Sequence, residues 1–149
     1  PVSFLKYWEN DKATKQKVKD GWLYTGDFAY KDEEGYFYFK GREDDIINTS
    51  GYRVGPSEVE DAVLSHPKVS MVAVIGIPDK LRGQVIKAFI VPRDHNNVLT
   101  QNEILKKSIQ NHVKLKLAAH EYPRLIEFVY ELPLTTTGKI IRKDLRENN

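Results

Sequence analysis

At 149 residues and 17.2 kDa, the chain has room for one ordinary domain, or for one small domain and a piece of another. Hydrophobic residues at 40% and charged residues at 30% exclude a disordered or fibrous protein, no apolar run approaches the ~20 residues that cross a bilayer, and the absence of cysteine excludes a disulfide scaffold or a Cys-based zinc or redox site and fits a reducing compartment, the cytoplasm. Net charge is only +2, but residues 1–50 hold eight basic and ten acidic side chains whereas residues 101–149 hold nine and six; that basic C-terminal third suits a phosphate partner, although a mixed solvated surface has the same composition.

The chain begins at Pro1 with neither a methionine nor a signal-like apolar stretch, and is expected to be a fragment of something longer. Residues 1–20 are polar and Lys-rich and read as a surface segment. Trp22–Thr25 and Gly35–Lys40 are rich in aromatic strand formers and flank the turn-prone Lys31–Gly35, which predicts a β-hairpin between them. A charged break at Gly41–Asp44 marks a domain boundary, giving segments 1–43 and 44–149. Asn48–Pro56, with two glycines, reads as a loop. Ser57-x-x-Glu60 predicts a capping box and a helix with Val59, Ala62 and Val63 inward, stopped by His66-Pro67. Val69–Ile77 and Val85–Val91 predict core strands joined by a loop at Pro78–Gly83. Thr100-x-x-Glu103 predicts a second capping box, opening a helix with Leu105, Ile109, Val113 and Leu117 on one side. Leu125–Val129 predicts a third strand, Pro133–Lys139 a loop and Ile140–Arg146 a closing turn or helix. The fold class is therefore α+β: a small domain with a mixed sheet and helices mainly on one face, preceded by a β-hairpin.

Ordinary catalytic templates give little. The four histidines, His66, His95, His112 and His120, lack metal-ligand spacing and read as surface or helix-end residues. No G-x-S-x-G elbow is present. Gly138-Lys139 matches the end of a phosphate-binding P-loop, but Pro133 stands where its first glycine belongs and Ile140 where Ser or Thr would hold magnesium. Glu43, Asp44 and Asp45 read either as an acid/base or metal cluster or as a solvated hinge, and their place between two segments favours the hinge. Lys139, on a loop rich in Thr and Gly, can reach a phosphate or carboxylate whose charge grows in a transition state; locally it is also one surface lysine among many.

Taken together, three segments resemble the late motifs of the adenylate-forming enzymes, the superfamily of acyl-CoA synthetases, peptide-synthetase adenylation domains and luciferases. They are Gly21-Trp22-Leu23-Tyr24-Thr25-Gly26-Asp27, the run Gly41-Arg42-Glu43-Asp44-Asp45-Ile46-Ile47-Asn48-Thr49-Ser50-Gly51-Tyr52-Arg53-Val54, and Pro133-x-x-x-x-Gly138-Lys139. The resemblance runs over essentially the whole chain, and Ser50–Arg53 with His120–Arg124 look most like acetyl- and medium-chain acyl-CoA synthetases. It implies that residues 1–43 are the tail of a large N-terminal adenylation domain and 44–149 the mobile C-terminal domain. The implied reaction joins a small carboxylic acid, ATP and coenzyme A in two steps through an acyl-adenylate, giving acyl-CoA, AMP and pyrophosphate, as an acid–thiol ligase of fatty acid metabolism does. Mg2+ would be held mainly by the N-terminal domain, and the fragment alone would be inactive.

Residue by residue, the resemblance makes Asp27 the ribose acceptor of ATP, Arg42 and Arg53 ATP-side cations, Asp44 the hinge and Lys139 the adenylation lysine. Ser50, Gly51 and Tyr52 would line a pantetheine passage, and Arg82, Lys114 and Tyr122 would meet the nucleotide end of coenzyme A; no residue is implied as a metal ligand. Gln84 departs from the pattern, since many relatives have Glu after the glycine. An adenylation domain that loads a carrier protein remains an alternative. A stand-alone nucleic-acid-binding module would show steeply salt-dependent affinity, but the later strands lack an aromatic-plus-basic motif, so neither a nucleic-acid partner nor a membrane span is expected.

Overall fold

Asn10 starts the first element of the computed structural model, which describes residues 4–147. Its side-chain oxygen accepts the Ala13 N–H at 3.0 Å and caps α1 (Asp11–Lys17), and the helix ends on Lys15 and Lys17, which suit its dipole. The outer ends of segments 1–43 and 44–149, at 1–3 and 148–149, lie outside the described residues. The chain divides into two compact units, Pro1–Asp44 and Asp45–Asn149.

In the first unit, β1 (Val18–Lys19) pairs antiparallel with β2 (Trp22–Leu23), and β3 (Asp27–Lys31) with β4 (Phe37–Arg42). The expected pairing of Trp22–Thr25 with Gly35–Lys40 is thus replaced by two hairpins. The reason is local: Asp20 and Gly21 both take left-handed φ (51° and 80°), the requirement of a two-residue hairpin turn, so the chain folds back before Trp22. The second turn is closed by Asp32, whose Oδ1 accepts the Tyr36 N–H at 2.8 Å. The described part of residues 1–20, read as a surface segment, is largely exposed and holds α1 and β1. Trp22, Tyr24, Tyr36, Phe37 and Phe39 stand exposed within this chain.

The second unit opens on a 3-10 turn (Glu43–Asp45) shared with the first, then β5 (Ile47–Thr49) and β6 (Tyr52–Val54), a hairpin where a loop was expected. Then follow α2 (Pro56–Leu64), β7 (Val69–Asp79), β8 (Gly83–Pro92), α3 (Asn96–Thr100), α4 (Glu103–Lys114), β9 (Leu125–Phe128) and α5 (Arg142–Glu147). The sheet runs β6-β5-β8-β7, with β9 parallel to β8. Alternate residues of β7 and β8 face opposite ways. Val72, Val74, Ile86, Ala88 and Ile90 meet α2 (Val59, Ala62, Val63) and α4 (Leu105, Ile109, Val113). Ala73, Ile75, Phe89 and Val91 meet Leu132, Ile140 and Leu145 of the C-terminal segment. The fold is the expected α+β class, with the two longer helices on one face.

Both capping boxes are displaced. α2 begins at Pro56 behind Gly55, and α4 is capped by Asn102, which accepts the Leu105 N–H at 3.0 Å, with α3 occupying Thr100. Pro at the first turn needs no N–H partner, which removes the demand for a Ser57 cap. The strand β7 also runs through Pro78 to Asp79 rather than ending at Ile77.

Candidate functional site

Asp27 opens β3 and Arg42 closes β4, directly opposite in register. Arg42 Nη1 donates to Asp27 Oδ1 and to the Thr25 carbonyl, each at 3.1 Å, and both side chains keep water access. Gly26 has left-handed φ (78°), and a β-carbon there would stand 2.9 Å from Lys17 Nζ. The result is an open cleft lined by Lys17, Tyr24, Thr25, Gly26, Asp27 and Glu43. A carboxylate engaged on one oxygen in such a cleft can accept hydroxyl donors on the other.

In the second unit, Ser50 (φ 52°) and Gly51 (φ 84°) form the two-residue turn between the paired Thr49 and Tyr52. The Ser50 N–H donates to the Arg82 carbonyl at 2.9 Å, so the β5–β6 turn leans on the β7–β8 turn. Asp79 builds that second turn by accepting the Leu81 and Arg82 amides at 3.0 and 2.8 Å. The Arg82 amide holds the Asp79 carboxyl below the usual carboxylate range against partial desolvation, and the Leu81 amide and the charges of Arg82 and Arg124 add to it. A β-carbon at Gly51 would meet nothing within 4 Å. Ser50, Gly51, Tyr52 and Arg82 are therefore gathered at two adjoining turns.

Tyr52 stacks on His120, ring centroids 3.7 Å apart and planes at 13°. Beyond His120, Tyr122 packs against the core, with Lys114 Nζ 4.2 Å and the Arg124 guanidinium 4.9 Å from its ring centroid. Arg124 also donates to the Tyr122 hydroxyl at 2.8 Å. Lys114 and Tyr122 are brought together, and His120 links Tyr52 to that loop.

Lys139 lies on a tightly closed turn. Thr135 N–H donates to the Lys139 carbonyl (2.8 Å), Lys139 N–H to Thr135 Oγ1 (3.0 Å) and Ile141 N–H to the Pro133 carbonyl (2.9 Å), beside a Leu134–Ile140 bridge. Gly138 supplies the left-handed corner (φ 79°). Its backbone is fixed, while its exposed ammonium makes no hydrogen bond or ion pair with the described residues. Three residues on, Arg142 Nη2 donates to both oxygens of Glu60 (2.8 and 2.7 Å) and Nη1 to Asp45 (3.4 Å); Arg146 Nη1 donates to Asp45 at 2.9 Å. Glu60 also accepts the Val74 N–H at 2.9 Å. Asp45 is thereby an ion-pair partner rather than an acid/base candidate, whereas its neighbour Asp44 is exposed.

The family model described as AMP-binding enzyme C-terminal domain matches residues 58–139, more than half of the chain. The chain belongs to that family. It is 46% identical over 147 residues to an uncharacterized acyl-CoA ligase, YtcI, of Bacillus subtilis (strain 168), covering 99% of this chain and 27% of that protein. It is 52% identical over 150 residues to the human mitochondrial acyl-coenzyme A synthetase ACSM1, covering 99% and 26%. The crystal structure of the anthranilate CoA ligase AuaEII with anthranoyl-AMP superposes with a TM-score of 0.84 at 42% identity, over 97% of this chain and 27% of that one. The chain thus spans about a quarter of the length of the relatives it matches.

Of the residues singled out from the sequence, the second unit carries Ser50, Gly51, Tyr52, Arg53, Arg82, Lys114, Tyr122 and Lys139, and the first unit Asp27, Arg42 and Asp44. Among the described residues, no group of three or more His, Asp or Glu side chains is placed to hold a metal ion, and Mg2+ is assigned to none of them. No helix among them is long and apolar enough to cross a membrane. Sequence reasoning missed the roles of four residues: His120 and the pair Glu60–Arg142, whose distant partners leave no local signal, and Asp79, whose turn with Leu81 and Arg82 an Asp at the start of a turn could have signalled. His66 stands at the end of α2, one of the two places its reading as a surface or helix-end residue gave it, but it is buried, its Nε2 3.1 Å from Ser108 Oγ on α4 and its ring edge-on to His112.

Proposed function

We propose that this chain is the C-terminal part of an AMP-forming acyl-CoA synthetase. Residues 1–43 are then the tail of its adenylation domain, residues 44–149 the C-terminal domain that turns over it, and Asp44 the pivot. The observation that carries the reading is Lys139, an ammonium with no partner among the described residues, on a closed backbone turn within a chain 46% and 52% identical to acyl-CoA ligases. In the first step a carboxylate oxygen attacks the α-phosphorus of ATP and pyrophosphate departs. Lys139 bridges the two groups where negative charge accumulates, and its fixed backbone spares reorganisation at that moment. Asp27 accepts the ribose hydroxyls, with Arg42 orienting its carboxylate and standing near the phosphates.

In the second step the thiol of coenzyme A attacks the acyl-adenylate carbonyl, releasing AMP. The Ser50–Tyr52 turn borders the pantetheine arm, Arg53 faces the phosphate or carboxylate side, and Arg82 and Lys114 face the nucleotide phosphates. Tyr122 serves by holding Lys114 and Arg124 in place. The substrate is a short- or medium-chain acid, the 149-residue piece alone is inactive, and the enzyme works in the cytoplasm; the mitochondrial names of the ACSM relatives make cell fractionation the test of that location.

The reading is tested on the full-length parent with Lys139→Ala. Acid-dependent ATP–pyrophosphate exchange, measured over a panel of short and medium acids, is expected to fall about 100-fold or more. Thioester formation from preformed acyl-adenylate and coenzyme A should persist, as should stability, within about 0.5 kcal/mol for an exposed side chain. Surviving exchange in the variant, or no exchange in wild type with any acid, refutes the assignment. Transfer to a carrier protein but not to free coenzyme A would instead support the carrier-loading alternative.

A further inference from the structure

Gln84 does something that no motif assigns to it. The strand β5 meets β8 at a single backbone pair, Thr49 opposite Gly83. On one side of that pair the Ser50 N–H reaches the Arg82 carbonyl at 2.9 Å. On the other the strand is held by a side chain: Gln84 Oε1 accepts the Asn48 N–H at 2.7 Å. The carboxamide thus replaces a rung of the ladder, at the base of the Ser50–Gly51 turn.

Gly76 makes the room. A β-carbon there would stand 2.9 Å from Gln84 Oε1 and 2.9 Å from Ile47 Cγ2. Gly76 sits in mid-strand opposite Ile86, without a left-handed φ, so backbone conformation does not require glycine. Space for the Gln84 side chain and for the buried Ile47 of β5 does. A glutamate at position 84 would present an acceptor oxygen at the same reach, and the Gln-for-Glu departure then keeps the one property the tether needs.

We propose that Gln84 is a positioning residue for the thiol-transfer step. It rests on the acyl-CoA synthetase reading above: by fixing the Asn48 backbone, Gln84 sets the Ser50–Gly51 turn against Arg82, and so the passage for the pantetheine arm of coenzyme A. It has no part in adenylation.

The test uses the full-length parent and an acid that the exchange panel shows to be turned over, with the variants Gln84→Leu, Gly76→Ala and Gln84→Glu. Leucine removes the acceptor and keeps the bulk; Gly76→Ala pushes aside an intact Gln84, and with it Ile47 of β5. Both should raise the KM for coenzyme A about fivefold, the net worth of one hydrogen bond whose donor water can reach when the bond is lost. ATP–pyrophosphate exchange should stay within about twofold of wild type, and Gln84→Glu should restore the wild-type KM. In the 149-residue chain, amide hydrogen exchange at Asn48 should quicken about tenfold in Gln84→Leu. Equal losses in both half-reactions, or an unchanged KM for coenzyme A while the Asn48 amide is deprotected, overturn the proposal. Absence of ATP–pyrophosphate exchange in wild type with every acid overturns the underlying reading and this role with it, and the Asn48 amide then reports on the tether alone.

Discussion

Replacing Arg142 with methionine removes the cation at the centre of the Asp45–Glu60–Arg142–Arg146 cluster while keeping most of its volume. The side chains involved are 19% (Arg142), 13% (Asp45) and 14% (Glu60) exposed. Taking one partner from a buried pair costs ~3–5 kcal/mol. Here three features reduce that. Asp45 keeps Arg146, Glu60 keeps the Val74 amide, and the residual exposure admits water. Arg142 Nε is moreover buried without a partner among the described residues, an existing cost of ~1–3 kcal/mol that methionine abolishes. The net expectation is a loss of about 2 kcal/mol, or a melting temperature lower by about 10 °C for a unit of this size. Arg146, 36% exposed, should cost under ~1 kcal/mol when replaced in the same way. Urea titrations of both variants followed by far-UV circular dichroism, with m held constant, measure the difference. A loss below about 0.5 kcal/mol for Arg142→Met, or a larger loss for Arg146→Met, would refute the ranking by burial.

Two further outcomes follow from the backbone and from titration. Gly51→Ala should cost about 1 kcal/mol in urea stability, because the left-handed φ of 84° penalises any β-carbon although none of its neighbours is within reach; no change would mean that the turn relaxes freely. Burial, aided by the charges of His112 and Lys68, pushes the His66 imidazole below its ordinary value. The unfolded chain therefore takes up a proton as pH falls through ~6.5 while the folded chain does not. Stability should be full above that pH, decline below it and level off once the folded imidazole also titrates; His66→Asn should flatten the decline, and an unchanged slope would refute it.

Periodicity makes the core legible in the sequence. Val59, Ala62 and Val63 and the Leu105, Ile109, Val113 stripe are buried as their spacing requires, because a helix between sheet and solvent can satisfy only one apolar face. The errors came from chemistry that depends on one or two dihedrals. Ser50-Gly51 fell inside a predicted loop and Asp20-Gly21 was given no turn, because which strands such pairs join depends on both residues adopting left-handed φ. The capping boxes failed because Gly55-Pro56 and Asn102 offered better starts one or two residues away. The motif residues were nameable from their order along the chain; their supports were not. Glu60 and Arg142 are 82 residues apart in sequence, and nothing in either neighbourhood announces the other.

The distribution of the two tryptophans has a practical consequence. Trp8 and Trp22 are 83% and 74% exposed and both belong to the unit Pro1–Asp44. Asp45–Asn149 contains none. The β5–β9 sheet and its helices therefore melt with no indole of their own to report it. A single tryptophan placed at Phe128, fully enclosed beneath α4, would give them an optical voice at the cost of overpacking by ~1–3 kcal/mol.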